Sequence, residues 1–167
     1  MRCGAGTPVD DGIEIRPARV EEAESVLACY EWLFAPPGSR PASWNPAWAR
    51  VALIDAIDSD SAAVLVAAGP DNRIVGICTA YLDILSVRFG LRCWIEDLAV
   101  DPELRSRGIG SALLGAARGW AADHGASHLE LDSAQGRAEA HRFYEREGAR
   151  NPSLSFGWYG IDEDRGP

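Results

Sequence analysis

At 167 residues, with 47% hydrophobic and 25% charged side chains and no repeat or low-complexity tract, the chain is sized for one globular domain with a real core. Sixteen basic against twenty-five acidic side chains give a formal charge of -9. That balance argues against nucleic acid or an anionic membrane as partner and would draw in a cationic substrate, although solubility alone accounts for it equally well.

No apolar run approaches the length of a membrane span, and Met1 to Gly12 lacks the apolar stretch of a signal peptide, so a cytoplasmic location is expected. Residues 1–12 read as a loose tail. Ile13 to Arg16 alternates as a short strand that stops at Pro17. A helix should follow: Glu21, Glu22 and Glu24 suit its positive N-terminal end, and Val20, Ala23, Val26, Leu27 and either Tyr30 or Trp32 give it an apolar face. From Phe34 to Pro46 the chain is too rich in Pro, Gly and Ser for a regular element. Asn45 can then cap, with Pro46 at the first helical position, a helix to about Ile57. Trp32, Phe34, Trp44 and Trp48 gather on this loop and its flanks. They either pin the loop down or wall a substrate pocket, where a flat ring packs on alkyl chains or faces a cation.

Ala62 to Ala68 is continuously apolar, as a buried strand is, and Gly69-Pro70-Asp71-Asn72 is a turn. Arg73 to about Val87 returns as a strand with a bend near Asp83, and Phe89-Gly90-Leu91 turns the chain into a further strand at Trp94 to Val100. Asp101-Pro102 ends that strand, and a helix runs from about Ile109 to Ala122, with Gly125 as its stop. Ser127 to Leu131 reads as a strand, Arg137 to Glu147 as a short helix ended by Gly148, Ser153 to Ile161 as a closing strand, and Asp162 to Pro167 as a polar tail.

Cys3, Cys29, Cys78 and Cys93 are scattered, and His124, His128 and His141 share no ligand spacing with them, so reduced thiols and no metal site are expected. The chemistry concentrates between strand and helix, in Arg105-Ser106-Arg107-Gly108-Ile109-Gly110-Ser111. Two glycines at the mouth of a helix let backbone approach a ligand closely, and the free N–H groups with the positive helix end suit a phosphate or pyrophosphate. Arg105 and Arg107 add fixed positive charge. The chain contains no lysine, which excludes the P-loop pattern, and Leu113 is too large for the third glycine of a dinucleotide fingerprint.

Arg105, Gly108 and Gly110 instead match [RQ]-x-x-G-x-[GA], and here the chain resembles the GNAT superfamily of acyl-CoA-dependent N-acyltransferases. Ala140-His141-Arg142-Phe143-Tyr144-Glu145-Arg146-Glu147-Gly148 resembles that family's A-x-x-F-Y-E-x-x-G segment, and the order of elements agrees from about Ile13 to Ile161. The resemblance implies an α/β (α+β) fold, in which a central mixed, mostly antiparallel sheet of six to seven strands is flanked by about four helices. It implies one domain over residues 13–161 between two tails.

The resemblance also implies acetyl-CoA as co-substrate, no metal, and transfer of an acetyl group to a primary amine within a ternary complex. Such a site must take a proton from an ammonium near pKa ten, polarise the thioester carbonyl and protonate the departing thiolate. Glu96 or Asp97, carboxylates in a strand, is the expected base, one of them working through water. Strand alternation puts Glu96 on the face of Leu98 and Val100, with Asp97 opposite, unless a bulge intervenes. By resemblance, the backbone of Leu98, Ala99 and Val100 receives the acyl-pantetheine, the segment Arg105 to Ser111 holds the diphosphate, and Tyr144 is the general acid. Phe143 and Arg137 complete the co-substrate contacts, although relatives often carry Asn where this chain has Arg137 and an aromatic where it has Ala149. Trp32, Phe34 and Trp44 are the expected acceptor-side residues.

The Ile95-Glu96-Asp97 triplet is similar to that of polyamine and diamine acetyltransferases. The acidic surface makes a small cationic amine the favoured partner, whether polyamine, diamine or aminoglycoside. A protein or peptide N-acetyltransferase and a non-catalytic acyl-CoA sensor are the rival readings. A homodimer stays open through Phe156, Trp158 and Tyr159.

Overall fold

The computed structural model describes residues 7–9 and 12–150. Ile13 and Ile15 bury alternate side chains while Glu14 stays exposed, the pattern of a strand with one face on a core. This strand, β2 (Ile13–Pro17), is preceded by β1 (Thr7–Val9), with Thr7 opposite Ile15 and Val9 opposite Ile13. The tail expected over residues 1–12 therefore contributes a short edge strand. Pro8 is tolerated there because an edge strand leaves one N–H row unpaired, and Gly12, at φ 72°, turns the chain between the strands.

Beyond β2 the expected single helix is broken into a 3-10 turn (Val20–Glu22), α1 (Ala23–Ala28) and α2 (Glu31–Phe34). Glu22 fixes the first piece: its carboxylate accepts two bonds from Arg16, at 2.6 and 2.8 Å, and one from the Arg19 N–H at 2.9 Å. The second break has tightened bonds from Tyr30 N to Leu27 O and from Trp32 N to Cys29 O, and it turns the Tyr30 ring toward the sheet. After the loop comes α3 (Pro46–Ile57), whose cap is the expected one: Asn45 Oδ1 accepts from Ala47 N and Trp48 N.

Strands β3 (Ala62–Ala68) and β4 (Ile74–Ser86) are buried on both sides over much of their length, which explains their unbroken apolar text. With β5 (Gly90–Val100) and β6 (His128–Leu131) they complete a sheet of six strands among the described residues, in the order β1-β2-β3-β4-β5-β6. All neighbours are antiparallel except β5 and β6, since the connection between them crosses over as a helix, α4 (Ile109–Asp123). The sheet and its flanking helices form the expected α/β architecture. Strand β4 is irregular between Leu82 and Leu85, at the bend expected near Asp83.

One face packs Val64, Val66, Ile77 and Ala99 against Val26, Cys29, Leu53 and Ala56 of the first three helices and their links. The other receives α4. At Gly76 a Cβ would lie 3.0 Å from Leu113 and 3.2 Å from Ile109, so the missing side chain lets the start of α4 settle on β4.

The chain divides into two compact units, residues 1–131 and 132–167. Within the second, α5 (Ala138–Arg146) ends at Gly148, at φ 86°, with Ala149 N bonded to Tyr144 O. The strand expected at 153–161 lies outside the described residues. Among the described residues no helix is long and apolar enough to cross a membrane.

Candidate active site

The ladder between β4 and β5 runs Gly76 to Val100, Ile77 to Ala99, Cys78 to Leu98 and Thr79 to Asp97, then jumps to Ala80 opposite Ile95. Glu96 is the extra residue of a β-bulge. The bulge corrects the expectation from simple alternation, which separated Glu96 from Asp97. Asp97 lies opposite Thr79, and Trp94, opposite Tyr81, donates from its indole Nε1 to Glu96 Oε2 at 2.7 Å. The Glu96 charge acts on Tyr30 and Tyr81, which face Asp97 as well. Both carboxylates therefore sit on the face covered by the first three helices.

Their surroundings differ. Asp97 Oδ2 accepts from the Tyr30 hydroxyl at 2.8 Å and from Thr79 Oγ1 at 2.9 Å, while the Asp97 N–H donates back to Thr79 Oγ1 at 3.1 Å. Burial pushes the Asp97 carboxyl above the usual range, opposed by the two hydroxyl bonds and reinforced by Glu96. Burial, and then the Asp97 charge, push the Tyr30 hydroxyl up, so it stays protonated and remains a donor. Glu96 is exposed and, among the described residues, accepts one bond, from Trp94.

Tyr30 also begins a ring cluster. Its centroid lies 5.7 Å from Trp44 and 6.3 Å from Phe34, and Phe34 meets Trp44 edge-on at 4.8 Å. Arg40 lies over the Phe34 ring at 4.9 Å and is held by Glu31 at 2.6 Å. Of the aromatics expected around this loop, Phe34 and Trp44 come together. Trp32 packs against the apolar core instead, and Trp48 stands on α3 73% exposed. The sequence reading missed Tyr30, Thr79, Tyr81 and Trp94 as site residues. The ambiguity between Tyr30 and Trp32 on one helix face was the signal available for the first.

Strand β6 pairs with Arg92 to Ile95 and ends at Leu131, so β5 from Glu96 to Val100 is laddered to β4 alone among the described strands. This is the opening in which Leu98, Ala99 and Val100 were expected to offer backbone donors. Below it, Asp101 is buried, ion-paired with Arg73, and accepts from Glu103 N at 3.0 Å, which anchors the turn leaving the strand. Ser106, at φ 63°, and Gly108, at φ 81°, then coil the chain into α4. Arg105, Ser106, Arg107 and Gly108 are exposed, whereas Ile109 is fully buried and pins the helix start. Among the described residues no side chain caps α4 at Gly108, and none lies within 4 Å of where a Gly108 Cβ would be. Uncapped N–H groups, open space and two arginines fit a diphosphate, and hence an acyl-CoA.

Phe143 and Tyr144 stand on α5 in the second unit, with ring centroids 5.2 Å apart, and Arg137 precedes the first turn of that helix. Cys78 and Cys93 are fully buried, and desolvation pushes the Cys78 thiol up to about 12. Neither is poised as a nucleophile.

Six strands among the described residues, parting beside β5 above a glycine-containing helix mouth, agree with the sheet expected for a GNAT acetyltransferase. The acetyltransferase (GNAT) family model matches residues 26–149, and the chain belongs to that family. It is 37% identical over 81 residues to an uncharacterized N-acetyltransferase, YhdJ, of Bacillus subtilis (strain 168), a match that takes in 48% of this chain and 56% of the relative. The chain thus spans little more than half the length of that curated relative. Among solved structures, a transcriptional regulator from Bacillus halodurans C-125 superposes with a TM-score of 0.74 at 22% identity, over 88% of this chain and 99% of that one. AAC(6')-Iy in complex with the bisubstrate analogue CoA-S-monomethyl-acetylneamine superposes with a TM-score of 0.73 at 17% identity, over 87% and 96%.

Proposed function

We propose that the protein is a cytoplasmic N-acetyltransferase that moves an acetyl group from acetyl-CoA to a primary amine of a small cationic molecule, by direct transfer. The observation that carries this reading is the bulge, which sets two carboxylates of unlike surroundings on one face beside a ring cluster. An ammonium group is drawn to that face by charge and by the aromatic rings. Asp97, fixed by Tyr30 and Thr79, holds it, and Glu96, open to solvent, takes its proton directly or through one water. When bound, acetyl-CoA supplies the activated acetyl thioester.

The backbone N–H groups between Leu98 and Val100 polarise the thioester oxygen, and the segment Arg105 to Ser111 holds the diphosphate. Tyr144, by its match to the family segment, returns a proton to the departing sulfur, and Phe143 and Arg137 add co-substrate contacts. The buried thiols speak for direct transfer over a covalent enzyme intermediate. The acetylneamine analogue carried by the solved relative supports an aminoglycoside-like amine among the acceptors, beside polyamines and diamines.

The test is incubation of the purified protein with acetyl-CoA and a panel of polyamines, aminoglycosides, amino acids and peptides, following thiol release and product mass. Release with a cationic small amine and a mass gain of one acetyl group is the expected result. Release with peptides alone overturns the acceptor class, and acetyl-CoA binding without release from any member overturns the activity.

A further inference from the structure

Glu96 has no partner on β4, because two residues of β5 oppose one of β4 at the bulge. The ladder therefore does not fix the direction of its side chain, and an exposed glutamate samples several rotamers unless something holds it. One contact does so. Trp94 Nε1, a pure donor, bonds Glu96 Oε2 at 2.7 Å and leaves Oε1 to face an incoming proton. The indole is in turn fixed from its face: the Arg92 guanidinium lies 4.9 Å from the ring centroid. Arg92 is itself locked by a two-pronged bond to Asp83, at 3.0 and 2.6 Å, and by Glu130 at 3.0 Å. Asp83, Arg92, Trp94 and Glu96 thus form one chain of contacts from the β4–β5 hairpin to the bulge.

We propose that Trp94 is a positioning residue that aims Glu96 at the acceptor ammonium, and that Arg92 stacked on the indole keeps Trp94 in place. This rests on the reading in which Glu96 takes the proton. In that step an N–H bond of the ammonium breaks, its electron pair stays on nitrogen as the attacking lone pair, and the proton passes to Oε1. The indole proton stays on Trp94 throughout.

Among the described residues, Asp97 on its own strand, Tyr81 on β4 and Tyr30 between α1 and α2 face Glu96. Burial pushes both tyrosine hydroxyls up, so they stay protonated and take no proton from the ammonium.

The experiment is Trp94→Phe, with Glu96→Gln and Arg92→Met beside it. Trp94→Phe lowers kcat roughly tenfold to a hundredfold, within the range of general base catalysis, with the KM for acetyl-CoA unchanged. The KM of the amine moves far less than kcat, because Trp94 orients the base without touching the acceptor. A merely structural role raises that KM and lowers Tm along with kcat, and that result, or no loss at all, overturns the proposal. An independent readout needs no substrate: Glu96→Gln changes the tryptophan emission at pH 7, and the same substitution made on Trp94→Phe leaves it unchanged. An equal change in the Trp94→Phe background overturns the contact. Arg92→Met gives a smaller loss of kcat, and an unchanged variant removes Arg92 from the chain. Should Trp94→Phe fail to fold, the emission of the native protein against Glu96→Gln decides. Should the native protein turn over no amine, the proposed function fails, and the emission still judges the contact.

Discussion

Asp97 carries a tension that a single substitution exposes. Its folded-state pKa is raised by burial, so the folded protein holds that proton more tightly than the unfolded chain. The stabilising effect of the proton is complete below the ordinary value and is lost as pH rises through the folded pKa, and at neutral pH the buried charge weakens the fold. Asp97→Asn keeps a carbonyl oxygen for Tyr30 and Thr79 and removes the charge. It should raise Tm at pH 7 by about 2–4 °C, on the order of 1 kcal/mol, while lowering kcat/KM with the amine, and the gain should vanish in acid. Melting curves at two pH values beside one steady-state assay check this. Glu96→Gln, with an exposed side chain, should leave Tm unmoved and lower kcat roughly a hundredfold at fixed acetyl-CoA KM. The two carboxylates were legible in the sequence as a pair, but their shared face was not, because a bulge inserts one residue without a residue type that announces it. For Tyr30 the ambiguity with Trp32 was a weak signal, because its partner, Asp97, lies 67 residues away.

At the scale of elements, the acid stability of the α1 entry and the seating of α4 are separable. Glu22 is held down to about 2 from its ordinary 4.5, first by the Arg16 hydrogen bonds, against the opposing cost of burial. The stability it lends is complete above its ordinary value and fades as pH falls toward about 2. Glu22→Gln should cost about 1–2 kcal/mol at pH 7 and almost nothing at the acid end of that window, measured as urea midpoints at the two pH values. Gly76→Ala drives a methyl into Leu113 and Ile109, lifts the first turn of α4 and should cost about 1–3 kcal/mol. Gly108→Ala meets no atom of the described residues, so its cost of about 1 kcal/mol is backbone strain at φ 81°, and it should also weaken acetyl-CoA binding, read by calorimetry.

Strands β3 to β6 and helices α3, α4 and α5 were legible because apolar runs, an Asn-Pro cap and stop glycines each carry a local signal. The broken first helix was not, since the Arg16–Glu22 clasp and the turn at Cys29 and Tyr30 answer to partners outside the helical period. Strand β1 hid for a similar reason: three residues containing Pro8 have no pattern of their own, and the register comes from β2.

Across the whole molecule, the charge of -9 and the carboxylates at the bulge share a sign, so the proposed cationic acceptor would arrive with electrostatic help. Its kcat/KM should fall several-fold between about 0.01 and 0.15 M ionic strength, as the screening length shrinks from about 30 to 8 Å, while kcat stays level. A neutral amine analogue should show no such slope.

The interior also keeps time. Cys29, Cys78 and Cys93 are free and shut away, one at the end of the α1 segment and two in the central strands, with burial holding Cys29 up to about 11 and Cys78 up to about 12. A disulfide reagent in solution can reach them only during an opening, and only the ionised thiol reacts. Labelling at Cys78 and Cys93 therefore follows the rare unzipping of β4 and β5, and labelling at Cys29 the loosening of the helix beside Tyr30. If Cys29 labels faster, and an added polyamine slows it without slowing the other two, the acceptor side of the protein breathes on a clock of its own.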